Sequence, residues 1–375
     1  MITYILLFAI ISFAGIVSFN KPKISKLNFT LICLALGIFV GLGDMLGGYD
    51  RYVYAQAFNA QYTLQQNQIA LMPFYWKEPG FGLLNMAVAF FTPNRYIFIF
   101  IITILIYYLY SISLYRYSRY PLFALFIFMG LMFFFTFTYL RQVLAAGIVW
   151  MSIPYVTQRK FWKFFLFILL GTTFHNSAVI FLILYFIPLQ KFKIQNIILV
   201  MSILFIIGIS GITSIIFSIY GDSMSEIASS AGNYELTSQH GFRIEYLLES
   251  VVFLTILLIN YNKLNDTPEN CTYINAYLIF CGTLLFFILS SDGGRLSWYS
   301  FIGIFAILPL LCTQNNMRIP ILILTTILYL RILLEWNVLL SPYKTFLTNG
   351  VREGDFIEEI YEYDQNYQHD KLYNL

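Results

Sequence analysis

Charge is what this sequence has least of. Only 11% of its 375 residues are Asp, Glu, Lys or Arg, whereas 59% are hydrophobic. A soluble domain carries about a quarter charged residues, so an all-α polytopic membrane protein is expected. The net charge of +3 is too small to point to a nucleic-acid partner. Cysteine is scarce: Cys33, Cys271, Cys281 and Cys312 form no CxxC pair and lie in or beside apolar runs. That pattern argues for small core residues and against disulfides or thiolate metal ligands. No DxD pair is present, so neither a metal nor another cofactor is expected. The opening stretch MITYILLFAIISFAGIVSF has no basic n-region and no small-residue cleavage site, and is expected to be a retained span. Internal repeats and low-complexity linkers are also lacking. The chain is therefore expected to hold one membrane domain, residues 1–340, and an acidic tail, residues 341–375.

What is there is apolar runs. A span needs about 20 apolar residues, and ten are expected, at 2–19, 28–47, 96–115, 121–139, 142–157, 194–220, 245–261, 272–290, 296–312 and 319–340. Residues 81–92 are too short to cross alone. Residues 161–188 are long for one helix and short for two, so a hairpin or re-entrant pair is expected there, with His175 near its tip. Lys and Arg favour cytoplasmic loops. Lys21, Lys23, Lys26, Arg116, Arg119, Arg159, Lys160, Lys163, Lys191, Lys193, Lys263 and Arg318 then fall inside, and residues 48–95, 221–244 and the tail fall outside.

Polar groups at membrane depth are costly and usually face a protein cavity. Two interrupt the apolar runs between Thr138 and Ala178: Arg141 with Gln142, and His175 with Asn176 and Ser177. An arginine keeps its charge and offers a fork to an anion, and a histidine can exchange a proton near neutrality. Further polar residues fall on the same outer side: Asp50 and Arg51, Glu78 before the short apolar segment, Arg243 and His240 in the second outer loop, and Arg295 with Tyr299 one turn on. Each has a structural alternative. Arg141 could snorkel to the interface, Asp50 could pair with Arg51, and Glu78 could serve only as a helix-start acid. Asp292 could pair with Arg295, and His175 could bond a carbonyl to hold a turn.

The YDRYVY stretch, the following EPGFGLLN, the LRQVLAAG span start, the RKFWKFFLF…FHNSAVI hairpin and the late GGRLSWY and SPY run in that order from about Tyr49 to Tyr343. In this series the chain resembles the EpsG-type branch of the Wzy-like exopolysaccharide and O-antigen polymerases of bacterial envelopes. The resemblance implies a membrane glycosyltransferase of GT-C-like architecture. Such an enzyme joins oligosaccharide repeat units carried on polyprenyl pyrophosphate, at the outer face of the cytoplasmic membrane. It implies lipid-linked oligosaccharide, growing polysaccharide and membrane lipid as partners, with a chain-length regulator and a flippase beside them.

That chemistry needs fixed cations for the departing pyrophosphate, for which Arg51, Arg141, Gln142, Arg243, Arg295 and Tyr299 are the expected donors and contacts. It needs a base for the acceptor hydroxyl, expected at His175, with Asp50 and Glu78 behind it. It also needs aromatic faces for sugar rings, expected from Tyr49, Tyr52, Tyr54, Tyr75 and Trp76. A flippase would spread its polar residues to both faces, often with internal repeats, and the one-sided pattern argues against it. An O-antigen ligase would use the same donor and the same arginines. A membrane acyltransferase would show an early histidine, and no His precedes His175.

Overall fold

The computed structural model describes residues 1–21, 23–44, 49–68, 73–213, 241–290, 293–313, 315–341 and 343–347. Among these, the regular elements are helical, joined by one isolated antiparallel bridge, Gly43 to Thr345. Four stretches, Ile2–Asn20, Arg95–Tyr117, Gly293–Leu311 and Asn316–Glu335, are long and apolar enough to cross a membrane by length and composition. Shorter apolar helices accompany them, and the whole is that of a polytopic membrane protein.

The helices in chain order are α1 Ile2–Val17, α2 Lys26–Gly41, α3 Tyr49–Gln66, α4 Pro79–Phe91, α5 Arg95–Tyr117, α6 Pro121–Leu131, α7 Leu140–Trp150, α8 Ile153–Thr157, α9 Phe161–Phe174, α10 Ile183–Phe186, α11 Ile194–Ile209, α12 Ile244–Ile259, α13 Pro268–Phe286, α14 Gly293–Leu296, α15 Phe301–Leu311, α16 Asn315–Glu335 and α17 Asn337–Leu340. Their starts carry ordinary signals. Ser25, Asn94 and Thr267 accept backbone N–H bonds at the heads of α2, α5 and α13. Proline opens α4 and α6, where its missing N–H is not needed.

Two expected spans are broken. The 121–139 run leaves helix at Met132 and passes through a 3-10 turn, Phe134–Phe137, before α7 begins. The 142–157 run breaks between α7 and α8, where Pro154 supplies no N–H for a continuous ladder. Residues 49–66, expected as part of an outer loop, form a helix whose buried positions Arg51, Tyr54, Ala55, Phe58 and Gln61 follow a helical period.

The basic residues placed inside by the sequence also cap helix C-termini, whose last carbonyls lack partners within the helix. Lys23 donates to the Tyr115 and Ser118 carbonyls at the end of α5, Lys191 to Tyr261 and Leu264 beyond α12, and Arg318 to Cys312 beyond α15.

The chain forms two compact units. The first comprises residues 1–151, 170–176 and 308–375, and the second residues 152–169 and 177–307. In the first, α2 packs on α5, and α6 lies against α1 and α16. An aromatic core of Tyr4, Phe8, Phe134 and Tyr329 joins these helices, with Tyr329 donating to the Tyr4 carbonyl. The start of the expected tail packs back onto α2. Tyr343 donates to the Phe39 carbonyl, Phe346 N to the Leu42 carbonyl, and Lys344 pairs with Asp44 at 3.5 Å. Residues 348–375 lie outside the described residues.

In the second unit the limbs flanking His175 pack side by side, with Phe164 against Phe181 and Tyr185. Arg159 closes their base by donating to the Tyr185 and Ile187 carbonyls. The 161–188 run is therefore a hairpin, with its base among basic residues.

Candidate active site

The site is built on three chain elements of the first unit that meet at one carboxylate. Glu78 is the residue before α4, yet its side chain makes no bond to that helix's own N-terminus. Instead both carboxylate oxygens turn outward. Oε2 accepts from Arg141 at 2.5 Å, and Oε1 faces His175 Nδ1 at 2.8 Å and accepts from Asn176 N at 3.2 Å. Arg141 is the second residue of α7, where the helix dipole disfavours a cation; the carboxylate offsets that. His175 follows the last residue of α9, and its backbone N donates to the Gly171 carbonyl.

Close approach of α4 to the hairpin tip depends on Gly80. A Cβ there would overlap Thr173 and come 3.1 Å from the Phe174 ring. The opposite wall is aromatic and dry. Tyr54 lies under the Arg141 guanidinium at 5.4 Å and packs on Phe81, which also meets Tyr75. Tyr75 donates to Asn85 Oδ1, whose amide in turn donates to the Phe81 carbonyl. Removing water from around an ion pair strengthens it.

Exposure sorts the three groups. The Glu78 side chain is 4% exposed, His175 12% and Arg141 18%. The histidine and the arginine thus keep an accessible edge, and the glutamate has almost none. Burial pushes the Glu78 carboxyl up, but Arg141, the bond from His175 and the Asn176 amide outweigh it and hold the group down at about 2. It is therefore an anion, an acceptor only, so the proton in the bond with His175 belongs to Nδ1. In the neutral ring, Nε2 is left with a lone pair.

The other expected site residues are placed as follows. Gln142 is buried on α7 beside Arg141. Asp50 is half-buried on the first turn of α3, one turn before Tyr54. Arg51 is fully buried, donates to the Val40 and Gly41 carbonyls at the end of α2 and lies beside Asp44. Arg243, Arg295 and Tyr299 belong to the second unit. There Arg243 N donates to the Ile288 carbonyl, and Tyr246 packs on Gly294, which brings the starts of α12 and α14 together. Arg295 is half-buried, and the buried Tyr299 hydroxyl bonds Ser177 at 2.8 Å. His240 and Asp292 lie outside the described residues.

Two expectations change. Tyr52, Tyr54 and Tyr75 cannot offer faces to a sugar, because they are at most 4% exposed, whereas Trp76 is 71% exposed and the Tyr49 side chain lies outside the described residues. Glu78 is not merely a helix-start acid; it is the hub of the cluster. The sequence carried one signal for this, an anion and a cation each flanking an apolar run at membrane depth, which tend to pair. Asn176, one of the polar groups expected beside His175, supplies its backbone amide to the same carboxylate. Among the described residues, no group of three His, Cys, Asp or Glu could hold a metal ion.

No curated protein matches the chain, and no solved structure matches it. The EpsG family's sequence profile, in contrast, matches residues 26–347, a range that contains Glu78, Arg141 and His175. On that match the chain belongs to the EpsG family, of the exopolysaccharide and O-antigen polymerase type.

Proposed function

We propose that this protein is a glycosyltransferase that polymerises polyprenyl-pyrophosphate-linked oligosaccharide repeat units at the outer face of the cytoplasmic membrane. A ten-span, GT-C-like architecture belongs to the same proposal, as do a chain-length regulator and a flippase as partners. Family membership supports the polymerase class. The observation that carries the mechanism is the Glu78–His175 contact, with Arg141 on the same carboxylate.

His175 Nε2 takes the proton of the acceptor hydroxyl as that oxygen attacks the anomeric carbon of the donor sugar. The bond from that carbon to the pyrophosphate oxygen breaks, and the pyrophosphate leaves with the bonding electrons. Arg141, permanently charged, steadies the charge growing on the leaving group. Glu78 is too weak a base at neutral pH for this role, since an effective base titrates near the working pH. It orients the imidazole and the guanidinium. Asp50 and Gln142, of the same unit, are assigned to holding the donor and acceptor, whereas the buried Arg51 guanidinium is taken up by the α2 carbonyls.

The outer location rests on basic-residue placement and on α9. From Lys160 to His175 the chain rises through a 14-residue helix, about 21 Å. A site at His175 thus lies far from the basic hairpin base. The native cysteines are all buried, so single introduced cysteines can report on sidedness. Asn67 and Asn265 are both exposed. In intact protoplasts Asn67→Cys reacts with a membrane-impermeant thiol reagent and Asn265→Cys does not. The opposite pattern inverts the topology and removes the outer site. Gln61, fully buried, cannot serve as the outer reporter.

The test of the reaction itself uses Arg141→Lys. This variant keeps the charge and loses the fork. Cells carrying it are expected to insert the protein normally while polymer falls at least tenfold, with single repeat units remaining on lipid. Unchanged chain length would leave interfacial snorkelling as the role of Arg141. Unflipped units on the cytoplasmic leaflet would point to a flippase.

A further inference from the structure

We propose that Phe135, Tyr139 and Trp336 form a saccharide-binding platform that holds the reducing-end sugars of the lipid-linked unit beside Arg141. The inference rests on the glycosyl-transfer reading above and adds a binding surface to it.

Glycosyl transfer needs aromatic faces, and the tyrosines nearest the carboxylate cluster are buried. Their rings pack on protein, and none presents a face. Phe135, Tyr139 and Trp336 differ: all three are half-buried and so partly open. Phe135 comes from the 3-10 turn before α7, Tyr139 is the residue before α7 begins, and Trp336 follows the last residue of α16. Their ring centroids lie 6.1, 5.8 and 6.4 Å apart, with planes inclined at 62°, 59° and 59°. The three rings are tilted against one another in a corner, and each keeps part of its surface open.

Distance along the chain ties this corner to the site. Tyr139 stands two residues before Arg141, so their Cα atoms are at most about 7.6 Å apart. In a glycosyl pyrophosphate, the first sugar is bonded directly to the phosphate. With the pyrophosphate at Arg141, the first sugars lie within reach of Tyr139. A pyranose has one apolar C–H face and a hydroxyl rim, which suits an aromatic corner with polar tips, here the Tyr139 hydroxyl and the Trp336 ring N–H.

Packing alone does not account for the trio. The contact of α16 with the turn before α7 is already made by Phe133 and Phe134 against Tyr329, all at most 1% exposed. A membrane-interface anchor would also place aromatic rings at helix ends. That alternative predicts loss of insertion or stability on truncation, with no change in glycan affinity.

The test uses the full chain in lipid nanodiscs. The probe is the repeat-unit oligosaccharide freed of lipid and pyrophosphate by mild acid, titrated by saturation-transfer NMR. Trp336→Leu and Tyr139→Leu are each expected to weaken its Kd about tenfold, the scale of one aromatic contact, at unchanged melting temperature. Trp336→Phe keeps a ring and is expected to lose less than about threefold. Trp162→Leu, which removes an exposed aromatic ring outside the trio, is expected to bind the glycan as the wild type does. Unchanged affinity in Trp336→Leu and Tyr139→Leu overturns the platform and leaves the polymerase reading standing on His175. Loss of affinity matched by a lower melting temperature in Tyr139→Leu and Trp336→Phe also overturns it, in favour of packing. Weakened binding by Trp336→Leu and Tyr139→Leu supports the platform even where His175→Gln cells make normal polymer, a result that would sink only the catalytic assignment.

Discussion

Replacing His175 by Gln is expected to leave the protein at normal levels in the membrane and to leave the cell with mainly unpolymerised repeat units on lipid. The amide can still bond Glu78, so the tip of the hairpin is held. Gly171, Thr172, Thr173, Asn176 and Ser177 surround the turn without needing an imidazole. What Gln cannot do is accept the acceptor's proton. Removing a positioned base costs roughly 10²–10⁴ in rate, enough to turn long polymer into single units. Normal polymer from His175→Gln would leave His175 as a turn residue. Asp50, half-buried one turn from Tyr54, would then be the next base to test, since Glu78 is held too far down to serve.

The second large effect is expected at Glu78, and there it falls on both stability and activity. Glu78→Ala strands the Arg141 charge at a mostly buried site, unfixes His175 and leaves Asn176 N without its acceptor. Breaking a buried pair from one side costs about 3–5 kcal/mol. A melting temperature lowered by several degrees, together with loss of polymer, is therefore expected. Glu78→Gln keeps the shape and loses the charge, and should fall between.

The pH dependence has a definite sign. The Glu78 carboxyl is lowered from 4.5 to about 2 in the folded chain. Its contribution to stability is then full above the ordinary carboxylate range and is lost as pH falls from about 4.5 through about 2. Melting followed between pH 7 and pH 3 should show a decline at the acid end for the wild type that is shallower for Glu78→Gln. Parallel curves would mean that the carboxylate does not hold the cluster together.

Much of the helical layout was legible because apolar runs of span length admit few alternatives, and the runs at 2–19, 96–115, 296–312 and 319–340 meet the four stretches long enough to cross a membrane. Its breaks at Met132 and Pro154 were less so, the first having no proline to announce it. The hairpin was legible from its length, from basic residues at both ends and from turn-compatible residues around His175. The carboxylate cluster was not. Glu78 lies 63 residues from Arg141 and 97 from His175, and only packing reveals such pairing. The first outer segment was misjudged for a different reason. Its polar content suggested a loop, but Arg51, Tyr54, Phe58 and Gln61 recur at helical spacing and face inward. The faces of Tyr54 and Tyr75 are therefore spent on the wall behind Arg141, whereas Trp76 stays 71% exposed. Arg51 likewise completes the end of α2, where its guanidinium takes carbonyls that the helix cannot satisfy itself.

The most direct measurement supplies the purified protein, reconstituted in vesicles, with a single substrate, the polyprenyl-pyrophosphate-linked repeat unit, and resolves the products by size. A ladder of lipid-linked oligomers is expected, rising by one repeat unit per step with release of polyprenyl pyrophosphate. The ladder should be missing with His175→Gln and strongly reduced with Arg141→Lys. Movement of the intact unit between leaflets without any ladder, or an equal ladder from His175→Gln, would contradict the account.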